Sequence, residues 1–367
     1  MAEAAMTDAQ RPWIRHYPEG ISWDTPLNTT PVHEQVLATC ARVPDSIALD
    51  FLGRKTSFGE LAKAINAFAG ALQSRFGIRK GSRVALLLPN CPFYVVAYYA
   101  ILRTGATVVN CNPLYTVPEL THIVASSGAD LMVTLDLMQL FEKAEALTEA
   151  GHVKSLIVCH FSAALPGTKS LLFRLVKGKE IAKVADSRIA AKITRYEDML
   201  ARNLQPGPVS IEAARDVAVQ QYTGGTTGLP KGAMLSHANI AANAAQAKLW
   251  FARVCQPGKA GIAVLPFFHI FAMTSCLNLP LTSGMTMYLL PRFELKAFLD
   301  LLGRSSASLL PAVPTLITAL AHKPTVTPRH LQALELVVSG GAALPGELRD
   351  AFAAKSNARL VEGYGLT

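Results

Sequence analysis

Apolar positions along this chain recur with two periods, and the two alternate. Ser57 and Glu60 stand at capping-box spacing, and Leu61, Ile65, Phe68 and Leu72 then fall on one helical face before Gly77. That pattern predicts a helix with a glycine stop. RVALLL (83–88) is a short unbroken apolar run and predicts a buried parallel strand. Thr116 and Glu119 repeat the capping-box spacing, with a helix expected to about Ser127, Gly128 as its stop and LMVTL (131–135) as the next strand. SLLPAV (308–313), LELVVS (334–339) and RLVEGY (359–364) read as further short strands between helical stretches. No internal repeat is evident. The alternation predicts an α/β protein with mainly parallel sheets flanked by helices.

Residues 260–291 contain no Asp, Glu, Lys or Arg, long enough to raise a membrane span. Pro266, Asn278, Pro280, His269 and two glycines interrupt the stretch. Strand, helix and strand in a buried core, lining an apolar pocket, is the better reading. Residues 84–102 divide in the same way at Pro89, Asn90 and Pro92.

Composition narrows the class. Of 367 residues, 50% are hydrophobic and 17% charged, which excludes a disordered chain and allows one large or two smaller domains. The net charge of +9 favours anionic partners without choosing among them. Cysteines at 40, 91, 111, 159, 255 and 276 form no metal-ligand spacing and read as buried thiols in a reducing cytosol. The first 20 residues hold acidic groups and no apolar run, unlike a secretory signal.

The stretch YTGGTTGLPKGAMLSH (222–237) carries the strongest chemical signal. From Thr223 to Lys231 it holds three threonines, three glycines, one proline and one lysine, with Leu229 the only large apolar side chain. Glycines let backbone N–H groups approach an anion, hydroxyls donate, and the lysine supplies a charge. VAVQQY (217–222) and AMLS (233–236) read as flanking strands. Walker A is excluded, because Lys231 follows Pro230 and precedes Gly232, and no G-x-G-x-x-G occurs here. Composition alone leaves a solvated loop as the alternative.

The full string resembles the phosphate-binding motif of the adenylate-forming superfamily, and its form is most similar to bacterial long-chain fatty acyl-CoA ligases. RVALLLPN (83–90), VVNCNPLYTVPEL (108–120), LPFFHIFAMT (265–274), VSGGAALP (338–345) and EGYGLT (362–367) resemble further motifs of that superfamily, in its order. Residues 1–40 and 160–205 match more loosely. The resemblance implies an acyl-CoA synthetase/luciferase-like N-terminal domain with two mainly parallel sheets, with approximate subdomains 30–215 and 216–367. It implies ATP, Mg²⁺ and CoA as co-substrates and cofactor, and a fatty acid as substrate. Thr223, Gly224, Gly225, Thr226, Thr227 and Gly228 would cradle the β- and γ-phosphates, Lys231 would neutralise pyrophosphate, and Thr223 would join the metal shell. Gly340, Gly341 and Ala342 would lie along the purine. Gly363, Tyr364, Gly365 and Thr367 would meet adenine and the α-phosphate. His269 would orient the acyl carboxylate, with Phe268, Phe271 and Met273, beside Phe267 and the apolar stretch to Leu290, walling an alkyl tunnel. Ordinary core packing is the alternative for those apolar positions, and a core residue the alternative for His269 and for Tyr364.

The sequence departs from the superfamily by stopping at Thr367, inside the last motif. The acidic residue that follows that threonine, the ribose-binding Asp, the hinge and the C-terminal lysine are absent. The sequence therefore reads as a shortened polypeptide or an incomplete gene product, expected to have little or no ligase activity by itself. Residues 161–202 hold nine Lys/Arg (169, 174, 177, 179, 183, 188, 192, 195, 202) against four acids (180, 186, 197, 198), a net of +5. Within them LLFRLVKGKEIAKV (171–184) is expected either to lie on an anionic membrane surface or to form a solvated basic segment. The expected location is cytoplasmic, peripheral to the inner face of the membrane, with homodimerisation left open. A ligase for aryl or short-chain acids and a non-catalytic nucleotide- or acyl-binding module are the competing readings. Nucleic acid is not an expected partner, since no recognition motif accompanies the charge. No G-x-S-x-G elbow surrounds Ser339, because Val337 holds the first position.

Overall fold

Both capping boxes form. In the first, the Ser57 N–H donates to Glu60 Oε2 at 2.7 Å and the Glu60 N–H donates to Ser57 Oγ at 3.1 Å. The helix Phe58–Phe76 follows, buries Leu61, Ile65, Phe68 and Leu72, and ends at Gly77 with φ 63°. In the second, the Thr116 N–H donates to Glu119 Oε2 at 2.7 Å, and the helix Val117–Ser127 ends at Gly128 with φ 70°. Each glycine supplies the left-handed conformation that closes a helix at low steric cost.

The structure, a computed structural model, describes residues 11–223 and 230–367. In chain order its strands are β1 (Ile47–Phe51), β2 (Arg54–Ser57), β3 (Arg83–Leu87), β4 (Thr107–Asn110), β5 (Leu131–Leu135), β6 (Ser155–Cys159), β7 (Ile193–Arg195), β8 (Val217–Thr223), β9 (Lys231–Ser236), β10 (Ala260–Ala263), β11 (Thr286–Leu289), β12 (Leu309–Ala312), β13 (Leu336–Gly340) and β14 (Arg359–Gly363). They form two seven-stranded sheets, ordered β14-β13-β12-β10-β11-β1-β2 and β7-β6-β5-β3-β4-β8-β9. Pairing is parallel except at one edge of each sheet, where β1–β2 and β8–β9 are antiparallel. The α/β architecture with two mainly parallel sheets is as the sequence predicts. Residues 260–291 divide into β10, a helical stretch and β11 as expected, and the helical stretch includes a π-helical segment, Met273–Asn278.

The helix Pro92–Arg103 ties the sheets together. Every residue from Phe93 to Leu102 is buried, as in a helix surrounded by protein on all sides. Its tyrosines reach both halves. Tyr94 Oη donates to Asn110 Oδ1 at 2.8 Å and contacts the Phe267 carbonyl at 3.2 Å, while Tyr99 Oη donates to Asn278 Oδ1 at 2.9 Å. Asn90, just beyond β3, closes the junction. Its Nδ2 donates to the carbonyls of Ala263 (3.0 Å) and Leu265 (2.8 Å), and its Oδ1 accepts from the Phe267 N–H at 2.8 Å. All six cysteines are buried free thiols, and burial pushes those of Cys40, Cys91, Cys111, Cys255 and Cys276 up to about 12.

Candidate functional site

In parallel α/β sheets ligands collect outside the carboxyl ends of the strands. The expected site motifs stand there. Thr223 ends β8, Gly340 ends β13, Gly363 ends β14, and the segment with His269 follows β10. Strand β9 returns antiparallel beside β8, so Lys231 pairs with Thr223 and Gly232 with Tyr222. Five of the expected phosphate-binding residues, Gly224, Gly225, Thr226, Thr227 and Gly228, lie outside the described residues.

The stems on either side of that loop are both held by the helix Val117–Ser127. Tyr222 Oη lies 2.7 Å from Ser126 Oγ and 3.2 Å from the Ile123 carbonyl, either of which can accept its one hydrogen. His122 Nε2 meets the Pro230 carbonyl at 2.9 Å. A Cβ at Gly232 would lie 2.7 Å from Gln220 Nε2 and 3.0 Å from the Tyr222 ring, so a larger residue would displace the glutamine side chain.

A buried amide relay joins β8 to the His269 segment. Asn110 Nδ2 donates to Gln221 Oε1 at 2.9 Å, and Gln221 Nε2 donates to the Phe268 carbonyl at 2.5 Å. His269 itself is exposed and begins a helical turn, its carbonyl accepting from the Met273 N–H at 2.9 Å. Desolvation by the surrounding protein lowers its pKa, so the imidazole is neutral near pH 7. The aromatic positions separate in role. Phe267 and Met273 are fully buried, with Met273 Sδ 3.7 Å from Asn110 Nδ2. Phe268 borders a cavity of about 560 Å³ whose walls include Pro89, Phe293, Val313 and Leu316, with Arg292 as its one cation. Phe271 instead lies across Gly340, where a Cβ would stand 3.0 Å from its ring carbons.

The residues expected beside the purine come together only in part. Gly340 pairs with Gly363 across β13–β14. Gly341 adopts φ 83°, a left-handed turn that leaves the strand end flat, and it and Ala342 are exposed. Tyr364 is 90% exposed in this chain, and Gly365 and Thr367 follow beyond β14. Among the described residues no three His, Cys, Asp or Glu side chains group to hold a metal. A second cavity of about 450 Å³, beside Arg83, Asp130 and Lys154, lies at the amino ends of β3, β5 and β6 and holds none of these motifs.

Sequence reasoning missed Asn90, Asn110, Gln221 and His122. The available signal was a polar residue inside an apolar run, as in Asn110 after VV and Gln221 in VAVQQY.

Comparison with known proteins agrees with this arrangement. The AMP-binding enzyme family model matches residues 36–367. The long-chain-fatty-acid–CoA ligase of Bacillus subtilis is 34% identical over 98% of this chain, and the chain spans 64% of that relative. The 4-coumarate–CoA ligase 5 of Oryza sativa subsp. japonica is 30% identical over 92% of the chain, which spans 57% of it. Apo MatB from Rhodopseudomonas palustris superposes with a TM-score of 0.73 at 25% identity, over 92% of this chain and 60% of MatB. The inhibitor-bound N-terminal domain of FACL13 from Mycobacterium tuberculosis, 23% identical, shares the fold with a TM-score of 0.74 over 92% of this chain and 76% of its own. The chain belongs to the AMP-binding enzyme family.

Proposed function

We propose that this chain is the AMP-binding N-terminal part, with subdomains near 30–215 and 216–367, of a ligase that activates a fatty acid with ATP and transfers it to CoA. A carboxylate oxygen attacks the α-phosphorus, the bond to pyrophosphate breaks, and acyl-adenylate forms. The CoA sulfur then attacks the acyl carbonyl and AMP leaves. The observation that supports the proposal is that the segment 268–271 touches two other motifs, Gln221 Nε2 donating to the Phe268 carbonyl and the Phe271 ring lying against Gly340.

In this reading Thr223, Gly224, Gly225, Thr226, Thr227 and Gly228 donate to the β- and γ-phosphates, and Lys231 neutralises the departing pyrophosphate. Gly340, Gly341 and Ala342 give the purine a flat backbone surface, with Gly363, Tyr364 and Gly365 on its other side and Thr367 reaching the α-phosphate. His269 orients the carboxylate as a neutral hydrogen-bonding group; no base is needed, because a carboxylic acid is already ionised at neutral pH. Phe268 and Phe271 contact the acyl end, with Met273 behind them, and the cavity beside Phe268 takes apolar substrate. Mg²⁺, when bound, offsets the phosphate charge, and a single protein hydroxyl at Thr223 fits an ion held mostly by phosphate oxygens and water.

We further propose a cytoplasmic protein that rests peripherally on anionic lipid through 171–184. In the helix Gly167–Val176 no residue is fully buried and Phe173 alone packs on the core, and among the described residues no helix is long and apolar enough to cross a membrane.

The test is acid-dependent pyrophosphate release by the full-length protein with acetate, octanoate, palmitate and 4-coumarate. At about 0.8 kcal/mol per buried methylene, palmitate is expected to exceed acetate by well over tenfold in kcat/KM. Preference for 4-coumarate or acetate would replace the fatty-acid assignment, and ATP binding without turnover would support a binding module.

A further inference from the structure

We propose that His122 is a positioning residue for Lys231, acting through the Pro230 carbonyl to hold it beside Thr223. This rests on the reading of Thr223 and Lys231 as nucleotide-binding residues. The imidazole Nε2 stands 2.9 Å from the Pro230 oxygen. A carbonyl only accepts, so Nε2 carries the hydrogen, and it does so in both the neutral and the protonated ring. Pro230 is one bond from Lys231, and Lys231 is the register partner of Thr223.

The same helical face holds the other stem. Ser126, one turn after His122, meets Tyr222, and Ser126 Oγ also donates to the His122 carbonyl at 2.7 Å. One helix therefore holds the chain at Tyr222, just before Thr223, and at Pro230, just before Lys231. His122 is half-buried rather than core, so its removal leaves the packing of the helix on Leu120, Ile123 and Val124 in place. Its direct effect falls on the stem. Without the hydrogen bond, the position of the Lys231 ammonium relative to the phosphates is less restricted, and ATP binding weakens before acid binding does.

The experiment compares His122→Gln, His122→Leu and His122→Ala in the full-length protein, with KM for ATP, KM for palmitate, kcat and thermal midpoint measured for each. Glutamine retains an N–H at similar reach, whereas leucine fills the space without a donor. We expect KM for ATP to rise about fivefold to tenfold in the leucine and alanine variants, in line with loss of one hydrogen bond, and to return to within twofold of wild type in the glutamine variant. KM for palmitate is expected to stay unchanged in all three. Equal KM for ATP in the glutamine and leucine variants, or equal changes in both substrates, would overturn the role of His122. Should the alanine variant fail to fold, the glutamine–leucine pair still decides. Wild-type protein that neither binds nor turns over ATP would instead sink the nucleotide reading itself.

Discussion

His33 and His237 meet edge to face with ring centroids 5.8 Å apart, and both are buried. Neither ring nitrogen of His237 has a hydrogen-bond partner among the described residues. Desolvation lowers the pKa of His33 to about 3, with His237 and Arg103 adding to the shift, and that of His237 to about 4, where Asp216 opposes and Lys80 adds. A histidine with a depressed folded pKa stays neutral while the unfolded chain takes up protons below pH 6.5. Stability is therefore expected to fall as pH drops from about 6.5 towards 4, by up to ~1.4 kcal/mol per pH unit for each ring. Thermal midpoints at pH 7.5, 6 and 5 check this, and the double variant His33→Leu/His237→Leu should show a flatter profile than wild type. At this scale the caps were legible, because Ser57 and Glu60, or Thr116 and Glu119, lie three residues apart. Asn90 and Gln221 were not, because the groups they bind lie 177 and 47 residues away and only the fold brings them near.

The helix Gly167–Val176 exposes Leu171, Leu172, Leu175 and Val176 at 60% to 74% of their surface. Phe173 points inward, its ring centroid 5.1 Å from that of Phe161, and Arg174 Nε donates to Ser162 Oγ at 3.0 Å. An outward aliphatic row followed by Lys177, Lys179 and Lys183 suits an anionic bilayer surface, where each lysine contributes about 1 kcal/mol. Co-sedimentation with phosphatidylglycerol vesicles is expected to exceed that with phosphatidylcholine. Replacing the three lysines by glutamate should weaken it at least about tenfold; unchanged retention would remove the membrane proposal. Among elements, legibility followed local pattern. The long periodic helices and the apolar inner strands were readable, and so were the strands flanking the glycine–threonine turn. The hairpin β1–β2 was not, since β2 reads Arg-Lys-Thr-Ser and forms a polar sheet edge with no apolar alternation to reveal it.

Two sheets of seven strands share one main core, and their order mixes distant segments: β1 and β2 join β10–β14, not the β3–β9 sheet that follows them in the chain. Strand neighbours of this kind leave no local trace, so the class of the fold was readable and its strand order was not. The same long-range contacts make a prediction. Asn90 satisfies two carbonyls and one N–H at the junction, and its replacement by alanine leaves those groups buried without a side-chain partner. We expect a loss of about 2–4 kcal/mol in urea unfolding, larger than a surface substitution gives. A change below about 1 kcal/mol would show that the sheets cohere without this residue. The buried cysteines add a practical consequence. Cys159 ends β6 and Cys111 directly follows β4 in the β3–β9 sheet, while Cys255 and Cys276 pack beside the other. With thiols this hidden and this reluctant to ionise, alkylating reagents have to wait for the polypeptide to open. Mass-spectrometric mapping of which sulfur is capped first would thus time-stamp the two halves separately, with no introduced label.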